Sequence, residues 1–269
     1  MRTVEKVAFY IVAHADDWQL FFYPDVAKEF YTSNCKVVFI ITTAGDAGMG
    51  EQFWRAREEG SKSSIRFCLA PFSAIEETIG WRTVNGHAVN RSVINNTTSY
   101  FLRLPDGNLD GRGFASTGYN TLATLEHGIT TQIETVDKSA LYDGWLDLVA
   151  TLEAIIQIET EKKVNGILSY LNPCTSSNPN DHPDHASTGR AIQAMSIVHT
   201  LHQQLFTGYN LPNCGDLLKH NDVFWKAGMM AAYEKAVFDS CGYSTLKEDV
   251  DVYFKWCTHS STFTAVLPS

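Results

Sequence analysis

The chain has no run of eighteen or more apolar residues, no Cys-x-x-Cys pair, no Gly-x-Gly-x-x-Gly fingerprint and no excess of basic charge. Each absence removes a class of function. Without a long apolar run no membrane span is expected. Lys and Arg number 21 against 30 Asp and Glu, for a formal net charge of −9. A surface built to grip phosphate backbones or anionic lipid would be basic, so no nucleic-acid partner is expected. The cysteines (Cys35, Cys68, Cys174, Cys214, Cys241 and Cys257) lack paired spacing and read as reduced thiols, not as a disulfide framework. Met1–Lys6 leads straight into strand-like sequence with no small-residue cleavage site, which points to a cytoplasmic location. The Asn-x-Thr triplets at Asn95 and Asn96 are then chance matches. No internal repeat or low-complexity segment is visible.

What is present is an α/β pattern. At 269 residues and 44% hydrophobic content the chain can bury a substantial core, and residues 1–269 are expected to form one domain. Residues 6–13 and 36–41 are near-continuous apolar runs, as in strands covered on both faces. Helical sequence follows each, over 18–32 and 51–69, with Pro24 at a first turn and Phe53, Trp54, Ala56, Ile65 and Leu69 as core positions. The alternation argues for a parallel sheet with right-handed crossovers. Residues 74–104 alternate polar and apolar around Asn85-Gly86, which predicts an inserted β-hairpin on the sheet's functional edge.

The spacing of Leu141, Trp145, Leu148, Val149, Leu152, Ile155 and Ile156 predicts a helix over 139–163, capped by Asp137 or Ser139. A strand at 164–171, a loop at 172–184 and a helix at 185–206 follow. Beyond 207 a helix near 221–239 and a strand near 250–257 are expected, in a segment that shapes the pocket mouth.

Two polar clusters stand where buried strands end: Ala13-His14-Ala15-Asp16-Asp17 and Asp181-His182-Pro183-Asp184-His185. If the two strands are neighbours in a parallel sheet, both clusters face one crevice at the carboxyl ends, where such sheets bind ligands. His14, Asp17 and His185 then form a two-histidine, one-carboxylate set, and three protein ligands leave a fourth position for water, as in catalytic zinc sites. Asp16 is placed to take a proton from that water. His182, if protonated, donates to a developing oxyanion, and Asp184 orients a neighbouring imidazole or caps the next helix.

These residues resemble the motifs of the LmbE-like, PIG-L-type zinc de-N-acetylases, which carry Ala/Pro-His-Pro-Asp-Asp-Glu after the first strand and His-x-Asp-His later. Here the motifs read Ala13-His14-Ala15-Asp16-Asp17-Trp18 and His182-Pro183-Asp184-His185. The resemblance implies a Rossmann-like fold, His14, Asp17 and His185 as zinc ligands, Asp16 as general base, and His182 backed by Asp184 at the tetrahedral intermediate. It continues through Thr43-Ala44-Gly45-Asp46-Ala47-Gly48, Arg57-Glu58-Glu59 and Leu104-Pro105-Asp106-Gly107, which implies substrate contacts from Asp46, Arg57 and Asp106. It spans residues 6 to about 206. Ala15 and Trp18 depart from the usual proline and glutamate, and Trp18 could offer an aromatic wall to a sugar or bulky aglycone. The implied reaction releases acetate from the acetamide of an N-acetylglucosamine-type conjugate, a small-molecule partner, with Zn2+ or another divalent ion. Homo-oligomerisation is left open.

The rival readings are an amidase on a thiol-sugar conjugate or longer N-acyl sugar, a non-catalytic nucleotide-binding module, and a silent relative with a structural metal. The acids after the first strand would repel phosphate, which weighs against the nucleotide. His199 and His202 are read as a surface or packing pair, Cys174 as a bystander thiol, and Trp54, Trp81, Trp145, Trp225 and Trp256 as core.

Overall fold

The computed structural model describes residues 4–160 and 165–268. The apolar runs form β1 (Lys6–Val12) and β2 (Cys35–Thr43), joined through α1 (Asp17–Phe21) and α2 (Asp25–Tyr31). α3 (Glu51–Leu69) has the predicted bounds, with all five predicted core positions buried. β3 (Glu77–Val84) and β4 (His87–Ile94) turn at Asn85-Gly86, both at positive φ, and β5 (Thr97–Leu104) follows. A short α4 (Leu122–Glu126) and the two-residue strands β6 (Ile133–Glu134) and β7 (Leu141–Tyr142) lead into α5 (Trp145–Thr160). Then come β8 (Asn165–Leu171), α6 (Pro183–Gln193) and β9 (His202–Phe206). α7 (Leu211–Cys214), α8 (His220–Cys241), α9 (Thr245–Thr258) and β10 (Phe263–Val266) complete the chain.

The sheet order is β10-β9-β8-β1-β2-β5-β4-β3. β1 pairs in parallel with both β2 and β8, and β5 and β9 extend the parallel part outwards. Antiparallel pairing finishes both edges, through β4 and β3 on one side and β10 on the other. This is the expected mixed α/β fold, with helices on both faces of a mainly parallel sheet.

The apolar runs are explained by the two faces. Along β1, Val7, Phe9 and Ile11 join the core beneath α5 and α6, while Ala8, Tyr10 and Val12 join the core beneath α3 and α8. Alternate side chains of a strand point to opposite faces, so a strand covered twice has no polar position to spare. Each large side chain so buried contributes about 1.5–3 kcal/mol. α8 turns Lys226, Met229, Met230, Tyr233, Glu234 and Val237 inwards, a helical stripe that packs on α3.

Several boundaries differ from expectation. Residues 97–104 are not part of an insertion: β5 is a parallel strand of the main sheet, and only β3 and β4 form the hairpin, at a lateral edge. α5 starts at Trp145 because Leu141 and Tyr142 pair with β6 and Gly144 breaks the chain at φ +88°. Asp137 does not cap it but takes Arg103 Nη1 at 2.6 Å. The predicted end of that helix at 161–163, and the start of the next strand at 164, lie outside the described residues. α6 stops at Gln193, and Ser196 then gives its N–H and its hydroxyl to Glu153 of α5, both at 2.7 Å. His199 therefore sits in a 3-10 turn and His202 opens β9. Residues 250–257 are helical, within α9. Trp81 is 55% exposed, not core.

Candidate metal centre

Because β1 and β8 are neighbours, the turn after the one faces the loop after the other. Three donor atoms converge there. His14 Nδ1 lies 3.2 Å from His185 Nε2, His185 Nε2 lies 3.1 Å from Asp17 Oδ1, and His14 Nδ1 lies 3.5 Å from Asp17 Oδ1. A tetrahedral ion about 2.0–2.1 Å from each donor separates its donors by about 3.3 Å, so the triangle fits such an ion.

The hydrogen bonding around the triangle fits it too. His185 Nδ1 faces Asp181 Oδ1 at 2.9 Å, which places the proton on Nδ1 and the lone pair of Nε2 in the triangle. His14 Nε2 is buried without a hydrogen-bond partner, 3.4 Å from Asp184 Oδ2, so that carboxylate backs the second imidazole and turns Nδ1 inwards. Asp17 Oδ2 accepts the N–H of His14 at 2.7 Å, leaving Oδ1 inside. Acceptor atoms thus face one another in a buried site, an arrangement that calls for positive charge. Burial opposes the charged imidazoles, but the carboxylates outweigh it: Asp17 holds His14 well above its usual range, and Asp17 and Asp181 push His185 up to about 10. Burial likewise opposes the Asp17 charge, yet His185 and His14 keep it well below the usual carboxylate range. A divalent cation can replace those protons on the same atoms.

His182 caps α6. Its Nδ1 accepts the N–H of Asp184 at 3.1 Å, so the proton sits on Nε2. Burial, then the neighbouring His14, push His182 down to about 4. The condition set for His182, that it carry a charge, is therefore not favoured by its surroundings; its Nε2–H is available on the neutral ring. Asp184 is not the cap either, since it lies in the first turn and accepts Gly107 N–H at 2.8 Å. A Cβ on Gly107 would stand 2.3 Å from Asp184 Oδ1, so only glycine permits that approach. Asp106, His182, Asp184 and His14 form a second group of convergent donors on this side.

Asp16 faces the other side. Its Oδ1 is paired with Arg57 Nη2, while Arg57 Nη1 donates to Gly45 O at 2.7 Å and Nε to Tyr233 Oη at 2.8 Å. Gly45, at φ +56°, is required, because a Cβ there would meet Arg57 Nη1 at 2.3 Å.

A cavity of about 430 Å3 opens over these groups, lined by His14, Asp16, Asp17, Arg57, Asp106 and His182 among the expected residues. Two expected substrate contacts are corrected. Trp18 is fully buried in the core against Phe39, with centroids 4.6 Å apart, and its Nε1 donates to Ser61 Oγ at 2.9 Å. Asp46 spends its carboxylate on the N–H groups of Asp106 and Gly48, which shapes the loop and not the cavity wall. Sequence reasoning gave no role to Asp181, which lies just before the N-cap of α6 and reaches His185 Nδ1 across the helix's first turn. It expected the segment beyond 207 to shape the pocket mouth but did not single out Tyr209, Tyr253 and Trp256, which line the cavity.

A family model described as GlcNAc-PI de-N-acetylase, PIG-L, matches residues 9–196. A comparison with curated protein sequences finds no match. Among solved structures, the fold is similar to a deacetylase in the biosynthesis pathway of teicoplanin, at 12% identity and TM-score 0.54, covering 97% of this chain and 98% of that one. It is similar to the zinc-inhibited form of teicoplanin deacetylase Orf2 at 13% identity and TM-score 0.51, covering 97% and 98%. N,N'-diacetylchitobiose deacetylase from Pyrococcus horikoshii aligns at 13% identity and TM-score 0.50, covering 97% and 84%. With more than half of its length matched by the family model, this chain belongs to the PIG-L family.

Proposed function

We propose that this chain hydrolyses the acetamide of an N-acetylglucosamine-type amino-sugar conjugate, releasing acetate and a free amine. The reading is carried by the triangle of His14 Nδ1, His185 Nε2 and Asp17 Oδ1, three inward-facing acceptors on two loops that are far apart in sequence. These residues would hold the divalent cation, zinc being the proposed one. Bound there, it supplies Lewis acidity and a water acidic enough to attack near neutral pH, with a pKa of about 7.

The chain's own residues do the rest. Asp16 takes the proton of the attacking water through Oδ2, while Arg57 holds Oδ1. His182 presents its Nε2–H to the oxyanion that forms from the carbonyl. Asp184 and Asp181 orient His14 and His185 from behind. Asp106 and Arg57, both on the cavity wall, are the proposed sugar contacts. The family match and the deacetylase relatives support the reaction class; among the described residues no helix is long and apolar enough to cross a membrane.

The test is release of free amine from an N-acetylglucosamine conjugate by the zinc-loaded protein, followed with an amine-reactive dye. Turnover that a chelator removes and zinc restores is expected; no amine release with zinc bound would refute the reading. The aromatic surface of Phe21, Phe114 and Trp256 on the cavity wall favours a second reading, a longer acyl chain. Rates on acetyl and octanoyl glucosamines, compared in one assay, separate the two.

A further inference from the structure

The C-terminal helices reach the two functional groups of Asp16 and Arg57. Tyr233 of α8 accepts from Arg57 Nε at 2.8 Å, and Tyr253 of α9 donates its hydroxyl to Asp16 Oδ2 at 3.4 Å. Both tyrosines lie beyond residue 196, so the family match assigns them no role. Tyr233 is fully buried, whereas Tyr253 lines the cavity, its ring edge-on to Trp256 with centroids 5.3 Å apart.

The two oxygens of Asp16 are therefore treated differently. Oδ1 is committed to a guanidinium that is itself fixed at Gly45 and Tyr233. Oδ2 meets the phenol of Tyr253, a fellow residue of the cavity wall, which offers one proton and leaves the oxygen a second lone pair. Burial, then the Asp16 charge, raise the Tyr253 pKa well above its usual value, so the phenol stays a donor. A carboxylate tied at one oxygen alone can still swing about its Cβ–Cγ bond; a second contact at the other, though long at 3.4 Å, favours one orientation of Oδ2.

We propose that Tyr253 is a positioning residue for Asp16, its hydroxyl holding Oδ2 aligned for proton transfer from the attacking water. The inference rests on the hydrolytic reading above. A misaligned base costs rate without weakening substrate binding, because the lost interaction matters at the transition state. The ring of Tyr253, by contrast, is wall, and its loss bears on binding.

The experiment is steady-state amine release from 4-methylumbelliferyl N-acetyl-β-glucosaminide by zinc-loaded full-length protein. Tyr253→Phe is expected to lower kcat about tenfold, the effect of one charge-assisted hydrogen bond, with KM within about twofold and zinc content unchanged. Tyr253→Leu is expected to raise KM as well. In an Asp16→Asn background, Tyr253→Phe should have no further effect on the residual rate, since the two act as one unit. Full kcat in Tyr253→Phe, a change confined to KM, or an undiminished effect on top of Asp16→Asn would each overturn the inference while leaving the hydrolytic reading intact. A wild-type protein that binds zinc and releases no amine would overturn both.

Discussion

Two buried charge clusters in this molecule are built from similar materials and end in opposite states. In one, Arg103 donates to Glu58 Oε1 at 2.7 Å, Glu58 Oε2 at 2.8 Å and Asp137 Oδ2 at 2.6 Å. Its guanidinium stacks between Trp54 and Trp81, 4.7 and 5.3 Å from the ring centroids. Every acceptor there meets an N–H, and the cluster is complete as it stands. In the other, His14, Asp17 and His185 point acceptors at one another, and the surrounding Asp181 and Asp184 add only more acceptors. Burying charge without a partner costs several kcal/mol, so the second cluster needs positive charge at its centre, from protons on the imidazoles or from a cation that replaces them. The first ties β5 to α3; the second is the proposed cation site.

That contrast can be broken in stages. The largest effect is expected from His185→Ala, which removes one donor and leaves Asp17 facing a single imidazole: bound zinc should fall from one equivalent to near none by elemental analysis after dialysis, with turnover lost. Asp16→Asn spares the triangle, so zinc should stay while kcat drops about 10²–10⁴-fold. Arg103→Met disrupts the complete cluster and strands the buried Glu58 carboxylate and the half-buried Asp137 one. A loss of about 3–5 kcal/mol in denaturant titrations is expected, with zinc stoichiometry unchanged in the folded protein. Asp181→Asn is the mildest, weakening the hold on His185 from behind, and should lower zinc affinity about 10–100-fold in chelator competition.

The contrast also explains what could be read from the sequence. That His14, Asp16 and Asp17 would come together with His182, Asp184 and His185 was legible because both clusters lie beyond apolar runs whose residues alternate between two buried faces, and strands of that kind put their carboxyl ends together. Trp18 was misjudged because adjacency to Asp17 along the chain says nothing of direction: one position further round α1, its side chain points into the sheet against Phe39. α9 was taken for a strand because Val250, Val252, Tyr253, Phe254 and Trp256 are β-branched or aromatic. Its wider spacing, Leu246, Val250, Tyr253 and Cys257, is helical, and the helix is what swings Tyr253 onto Asp16. The end of α6 had no glycine or proline to mark it, since Glu153 from a different helix captures Ser196. Local pattern locates strands and their polar ends; it does not locate stops imposed by a distant side chain.

The most direct test of the central claim is the X-ray absorption fine structure of the protein loaded with one equivalent of zinc. The account predicts a shell of nitrogen and oxygen donors at about 2.0–2.1 Å with imidazole scattering from two histidines, reduced to one in His185→Ala. A sulfur shell near about 2.3 Å, or a spectrum unchanged by His185→Ala, would contradict it.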